Sequence, residues 1–501
     1  MTLRAIFLRC PTPARCPAVR PHSSRRLCLA PSRPHALQRN CLVTVLLMGE
    51  TPILCSGFVN RILVQREAPL PRKIAPLQTR RDFLRKAGIA GTTLAVASVF
   101  PPLVMSKADR RRDHILIGLP NPSTGPLADF GEASPWANDR AISAINSRGG
   151  IYLEDYGQKF PVRMKMVDTE SDPTRAGEVA VKLILRDQVD LMVVLHTPDT
   201  VNPVTAICER YEMPCISLDA PVEAWMTGGP YRWCYHAFWT VDSLTDLYIG
   251  MWELASDRTN KVVGGFWPND ADGKEWSDLF KKKLPARGYK VVDPGRFPYF
   301  TRDYTEFVNL FKKEKVEIVT GVLIPPDWAA AWRQCRQLGY APKIATIGKA
   351  ILFPSAVQAI GGNLPAGLTS EVWWGPHHPY KSSLTGESAR ELCRAWSDET
   401  GKPWTQPIGF KYAAFEIAFN ALSRAGTLER KKVREAIAAT DMDTIVGHIK
   451  YNDEHYAETP LVGGQWVQGK RWPWELEIVY NRGHVEIPRT AELVFPIPSI
   501  L

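Results

Sequence analysis

Ile117-Gly118-Leu119-Pro120-Asn121-Pro122-Ser123-Thr124-Gly125-Pro126-Leu127-Ala128-Asp129-Phe130-Gly131 passes from an apolar run, through a loop rich in Pro, Ser and Gly, into helix-compatible residues. Proline lacks the N–H that a strand ladder needs, and glycine supplies turns that other residues resist. The extended run therefore stops at its carboxyl end and a helix follows. Ala144-Ile145-Asn146-Ser147-Arg148-Gly149-Gly150-Ile151 follows. One strand, one loop and one helix are thus laid down in order.

The same unit repeats on both sides of this stretch. Residues 114–119 and 162–167 read as strands and 135–147 as a helix, with Ala141, Ala144 and Ile145 on one face. Asp172-Pro173 supplies a helix cap with proline at the first helical position, opening a helix to residue 186 with Val179, Leu183 and Ile184 inward. Strands at 191–195 and 214–217 flank a helix at 200–211. An irregular aromatic stretch at 221–240 follows, and the series restarts with a helix at 243–256 and a strand at 261–266. A helix at 274–286 and a strand at 289–292 come next, and segments 307–313, 316–323, 328–338 and 343–346 continue the alternation. Helices dominate beyond Gly386 (387–400, 410–425 and 431–439), and 461–485 is strand-like. Near-continuous apolar strands between helices mean parallel sheets covered on both faces. Two such series predict an α/β protein of two lobes.

Charge divides the chain. The 501 residues carry a net charge of +10, but residues 1–108 hold 17 Lys and Arg against Glu50, Glu67 and Asp82. The remainder has 45 bases and 49 acids, about −4, and offers no electrostatic footprint for a phosphate backbone. Nucleic acid is excluded as a partner. The five body cysteines, Cys208, Cys215, Cys234, Cys335 and Cys393, contain no C-x-x-C pair of the kind a zinc or redox site uses. They are expected buried and reduced, although Cys208 and Cys215 are near enough in sequence to bridge.

Thr79-Arg80-Arg81-Asp82-Phe83-Leu84-Arg85-Lys86, a mild apolar run at 87–100 and Ser106-Lys107-Ala108 follow the order of a secretory signal. The paired arginines before Asp-Phe-Leu resemble a twin-arginine export motif, which implies a signal at 79–108, passage through the twin-arginine translocase and a bacterial periplasmic location. The apolar run is short and rich in Gly, Ala and Thr, whereas a membrane span needs about 20 apolar residues. Residues 1–78 are expected to be an untranslated or disordered extension.

The opening stretch, Asp168 with Asp172-Pro173, Leu183-Ile184 with Val189-Asp190, and Met213-Pro214-Cys215-Ile216-Ser217 together resemble the leucine/isoleucine/valine-type periplasmic binding proteins. The resemblance runs from about His114 to Tyr480. It implies the type I fold, two Rossmann-like lobes with parallel central sheets joined by a three-segment hinge. Lobe one is placed at 113–237 and 372–442, and lobe two at 238–371 and 443–501. It also implies a monomer that delivers a small organic solute to the permease subunits of an ABC importer. The solute would lie in the cleft at the carboxyl ends of the strands.

Carried over position by position, the resemblance assigns Phe130 to stack on the ligand. It assigns Thr197 and Pro198, in Leu195-His196-Thr197-Pro198-Asp199-Thr200, to a carboxylate-binding loop. Asp219 and Ala220 fall in the next such loop, where small or hydroxyl residues are usual. Asp272 falls where amino-acid binders often place an aromatic, and Lys349 or Ala350 near their amine-binding acid. These departures argue against an ordinary branched-chain amino acid: Asp219 or Asp272 would suit a cationic group and Lys349 an anionic one. All 16 tryptophans lie in the body. Trp225, Trp239, Trp267, Trp328, Trp373 and Trp374 follow strand ends or lie in irregular segments. Of these Trp239, Trp328 and Trp373 join the candidate site, since indole faces suit planar or cationic ligands. Packing between the lobes is the competing role.

Other motifs carry less. His377-His378 sits between Pro376 and Pro379, a rigid loop rather than a metal site, and His196 reads as a loop residue near the cleft. Asn269-Asp270-Ala271-Asp272-Gly273 resembles part of a calcium loop but lacks its terminal Glu, so it reads as the turn that opens a helix. No P-loop, G-x-S-x-G or H-E-x-x-H motif is present. No catalysis, cofactor or metal is expected. A solute-sensing module of the same fold and a periplasmic enzyme are the competing functions.

Overall fold

The computed structural model describes residues 112–498. The twin-arginine segment and the extension before it lie outside the described residues.

The first lobe begins with β1 (Ile115–Asn121), α1 (Ser134–Asn146), β2 (Val162–Asp168), α2 (Pro173–Leu185), β3 (Leu191–Val194), α3 (Pro198–Arg210), β4 (Cys215–Leu218) and β5 (Cys234–Phe238). Every residue of β3, β4 and β5 is buried, as strands covered on both faces must be. Asp172 caps α2 by accepting from the Arg175 N–H at 2.8 Å. Helix α1 buries Ala137, Ala141 and Ile142, a stripe slightly rotated from the expected one.

The second lobe comprises α4 (Val241–Glu253), β6 (Val262–Pro268), α5 (Ala271–Ala286), β7 (Lys290–Val292), β8 (Arg296–Phe297), α6 (Thr305–Lys313), β9 (Ile318–Val322), α7 (Pro325–Gln337), β10 (Ile344–Gly348), α8 (Pro354–Ile360) and β11 (Thr369–Val372). The chain then returns to the first lobe with α9 (Ala389–Thr400), α10 (Pro407–Ala425), α11 (Arg430–Ala438) and β12 (Tyr456–Glu458). It ends in the second with β13 (Val462–Gln468) and β14 (Trp474–Tyr480).

The first sheet is all parallel in the order β12-β5-β4-β3-β1-β2. The second runs β8-β6-β9-β10-β11-β13-β14, with β7 beside β6 and the last two strands antiparallel to their neighbours. Three crossings join the sheets, after β5, after β11 and between β12 and β13.

Two expectations are corrected. Residues 221–240 are not simply irregular, because Cys234–Phe238 forms a strand paired on both sides. Its His236 is held internally by Ser217 Oγ (2.8 Å) and the Ala220 carbonyl (2.7 Å), so a polar residue sits in a buried strand without an unmet hydrogen bond. The third crossing also lies beyond 458, not at 442/443, since Tyr456 and Ala457 pair in parallel with His236 and Ala237. The preceding hairpin, Asp441–Thr444 with Gly447–Lys450, stays with lobe one as well: Glu416 of α10 accepts from the Ile445 N–H at 2.9 Å.

Cys208, Cys215, Cys234, Cys335 and Cys393 are buried free thiols. Among the described residues no helix is long and apolar enough to cross a membrane.

Candidate functional site

Strands of both sheets end at the cleft between the lobes, and there the backbone is strained. His196 after β3, Asp219 after β4 and Lys349 after β10 all adopt positive φ, at 98°, 65° and 64°. A side chain with a Cβ resists this region, at a cost of about 1–3 kcal/mol each, and such residues collect at ligand sites. Here the strain brings two charged groups to the same gap. The loop after β1 is equally tight. A Cβ on Gly131 would stand 2.3 Å from the Pro122 carbonyl, so only glycine lets the chain double back and set Phe130 in place.

A cavity of about 30 Å³ lies between the lobes. Phe130, Thr197, Pro198, Asp219, Pro221 and Phe238 line it from the first lobe. Trp239 and Trp373 border it at two crossings, and Asp272, Trp276, Val322, Lys349, Leu352 and Glu371 line it from the second lobe. The walls are mostly apolar and aromatic with a few polar groups, the usual composition of a small-molecule site. A wider depression beside Arg140, Glu387 and Glu399 is open to solvent, and its charges pair with one another at 2.9 and 3.1 Å.

On the second lobe, Asp270 caps α5 by accepting from the Gly273 N–H at 2.7 Å, so the Asn269–Gly273 segment is indeed a helix-opening turn. Two residues on, Asp272 meets Lys349 Nζ at 2.8 Å. Lys349 also donates to Asp270 at 3.3 Å and to the Tyr299 hydroxyl at 3.1 Å, and stands 3.6 Å from Asp199 of the first lobe. Burial alone would depress the ammonium, but Asp272, Tyr299, Asp270 and Asp199 together hold it well above the ordinary lysine value. Lys349 is therefore a cation with its donors already engaged. Glu371, at the end of β11, accepts from Ser370 Oγ at 2.9 Å and contacts the Tyr248 hydroxyl. Burial pushes its carboxyl up to about 7 against those donors.

On the first lobe, Asp219 and Lys411 of α10 are fully enclosed 3.6 Å apart, an ion pair too long for a hydrogen bond. Burial pushes Asp219 up to about 7 and Lys411 down to about 8, each pulled back by the other. Lys411 also reaches His196 Nδ1 at 3.3 Å. Burial and the nearby ammonium hold that imidazole well below its usual value, so it is neutral and its Nδ1 accepts.

The profile for periplasmic binding proteins matches residues 114–471. The chain belongs to the periplasmic binding protein family. A leucine-, isoleucine-, valine-, threonine- and alanine-binding protein of Pseudomonas aeruginosa is 21% identical over 342 residues, 68% of this chain and 87% of that protein. A Leu/Ile/Val-binding protein of Rhizobium johnstonii is 24% identical over 371 residues, covering 72% of this chain and 92% of the relative. Among solved structures, a leucine-binding protein from Thermotoga maritima superposes with a TM-score of 0.62 at 19% identity, covering 74% of this chain and 99% of that one. A solute-binding protein of an ABC transporter from Rhodopseudomonas palustris, in complex with 3,4-dihydroxybenzoic acid, gives 0.59 at 17% identity, with 74% and 99% covered. These neighbours share the type I fold of this periplasmic binding protein.

Of the residues singled out from the sequence, the structure brings Phe130, Thr197, Pro198, Asp219, Trp239, Asp272, Lys349 and Trp373 to one cavity. Two do not join them. Trp328 is wholly buried in the core of lobe two, stacked on Trp332 with ring centres 5.1 Å apart. It sits within α7 on the face turned to the sheet, where burying an indole stabilises the fold by a few kcal/mol. Ala220 does not line the cavity. Its carbonyl fixes His236 instead.

Sequence reasoning missed Lys411, Trp276, Glu371, Tyr299 and Asp199. Lys411 had a usable signal, as a lone lysine in the apolar helical run Phe410-Lys411-Tyr412-Ala413-Ala414-Phe415. Tyr299 lies in a loop without periodicity and carried none.

Proposed function

We propose that this periplasmic binding protein is the extracytoplasmic substrate-binding component of an ABC importer, capturing a small amino-acid-like, amide or aromatic organic solute by closure of its lobes. The observation that carries this reading is the aromatic-walled cleft bounded by strand-end loops of both lobes, with left-handed Asp219 on one side and Lys349 on the other. The Leu/Ile/Val-binding relatives favour the same role. Phe130, Thr197, Pro198, Asp219, Trp239, Asp272, Lys349 and Trp373 are the proposed ligand contacts. The solute stabilises the closed form in proportion to its preference for that form, and the closed face is then presented to the permease subunits. The protein works as a monomer in the periplasm, exported by the twin-arginine route that Arg80-Arg81 suggests.

A thermal-shift panel of aromatic acids, amides, amino acids and amines tests this. Ligand at about 100 times its Kd adds roughly 2.7 kcal/mol to the folded state. At least one such solute raises the midpoint by a few degrees, and the rise is lost in Trp239→Ala. If sugars or metal ions alone move the midpoint, the reading is wrong.

A further inference from the structure

The cleft has an excess of buried acid. Asp219, Asp272 and Glu371 line it, and Asp270 and the partly exposed Asp199 stand around Lys349, against two ammonium groups, Lys349 in the lining and Lys411 paired with Asp219. Charges taken from water cost several kcal/mol each unless paired, and two cations leave the set under-balanced. The acids are also under-bonded. Both oxygens of Asp219, which is only 3% exposed, accept no hydrogen bond among the described residues, and neither does Oδ1 of Asp272. A buried carboxylate without donors is costly, and these two lie on opposite walls of one cavity.

The cationic anion-binding options are meanwhile taken, whereas the neutral indole N–H groups of Trp239, Trp276 and Trp373 stand unpartnered among the described residues and are open to an uncharged acceptor. The first turn of α3 opens with Pro198, which has no N–H, and carries Asp199, so that helix end already holds a negative charge. Lys349 is spent on its own lobe's carboxylates and Tyr299. Between the acids the walls are aromatic: Phe130, Phe238, Trp239, Trp276 and Trp373. Aromatic faces with nearby carboxylates are the environment that attracts an organic cation, worth about 0.5–2 kcal/mol from the rings.

Resting on the receptor reading above, we infer that the solute of this cleft is an N–H-bearing organic cation, an ammonium or amidinium carried on a small apolar or aromatic body. Its N–H groups donate to Asp219, to Asp272 or to both, and its body lies among the indoles. The proximity of several buried acids with raised values adds a corollary. A bound cation favours their ionised forms, so binding near neutral pH releases protons.

The test is isothermal titration of the full protein with two matched trios: benzamidine, benzamide and benzoate, and leucinamide, leucine and isocaproate. Within each trio the cation binds tightest, by about tenfold or more, as expected for a charge-assisted hydrogen bond to a buried acid. Its heat varies with buffer ionisation enthalpy in the sense of proton release. Asp219→Asn and Asp272→Asn erode the preference without lowering the thermal midpoint of the free protein below the titration temperature. Benzylamine also outbinds benzyltrimethylammonium, which is cationic but has no N–H to donate. A neutral or anionic member that binds as tightly as its cation, or a thermal-shift hit of either class, overturns this inference and leaves the receptor reading standing. If neither trio nor the wider panel binds, both fall.

Discussion

Asp199 of the first lobe holds its carboxylate 3.6 Å from the ammonium of Lys349 on the second. The Tyr299 hydroxyl, also of lobe two, reaches the same carboxylate at 3.2 Å. Phe130 meets Phe353 edge-on across the gap at 4.7 Å, and Ser355 donates to Asp129 at 3.4 Å. The closed arrangement thus has contacts of its own, independent of what the cavity holds.

The polar part of this latch is weak enough to tune. A partly exposed ion pair contributes about 0.2–1 kcal/mol, and Asp199 retains 20% of its side-chain exposure. Asp199→Asn should shift the lobe equilibrium toward open and weaken solute binding by roughly twofold to fivefold. Single-molecule energy transfer between labels on the two lobes reads the shift. Unchanged populations would mean that the contact does not bias closure.

The Asp219–Lys411 pair is the opposite case, fully enclosed and intolerant of half-removal. Lys411→Met leaves a buried acid alone and should cost about 3 kcal/mol in urea unfolding. The double variant Lys411→Met with Asp219→Asn should recover more than half of that loss. A single variant as stable as the wild type would show that Asp219 already carries a proton.

Glu371 gives the fold a pH signature. Its folded value of about 7 lies above the ordinary 4.5. Between those values the native state holds a proton that the unfolded chain has released, so stability falls as pH rises through that window. The stability advantage of wild type over Glu371→Gln should therefore shrink by on the order of 1–3 kcal/mol between pH 4.5 and 7. Chemical denaturation at a series of pH values measures it, and a flat difference would place Glu371 in an ordinary environment.

The fold was legible where local chemistry and burial agree. Asp172-Pro173 capped its helix, the apolar segments near 191 and 214 became strands buried along their whole length, and the run from Ile117 to Gly131 turned where its prolines and glycine required. Cys234–Phe238 was not legible as a strand, because the buried state of His236 depends on Ser217 and Ala220, which only the sheet brings near. Tyr456–Glu458 is three residues long and borrows its identity from a neighbour 220 residues earlier, Tyr456 opposite His236. In the cleft, Thr197, Asp219 and Lys349 were placed by the family resemblance, and each lies in a loop that follows a strand end. Trp328 misled because a tryptophan after a strand end suits a helix's inner face as well as a cleft wall. Lys411 is marked only as a lone lysine in an apolar helical run and Tyr299 not at all, because the helix and the loop that carry them approach the cleft through tertiary packing, and no short window of sequence records where they arrive.

Small-angle X-ray scattering on the free protein, titrated with the tightest solute from the panel, tests hinge closure on a ligand most directly. The account predicts a radius of gyration that falls and saturates at one solute per chain, with the opening of Asp199→Asn superimposed as a larger starting value. A solute bound at saturation with scattering unchanged from the free, open protein would contradict closure as the means of capture.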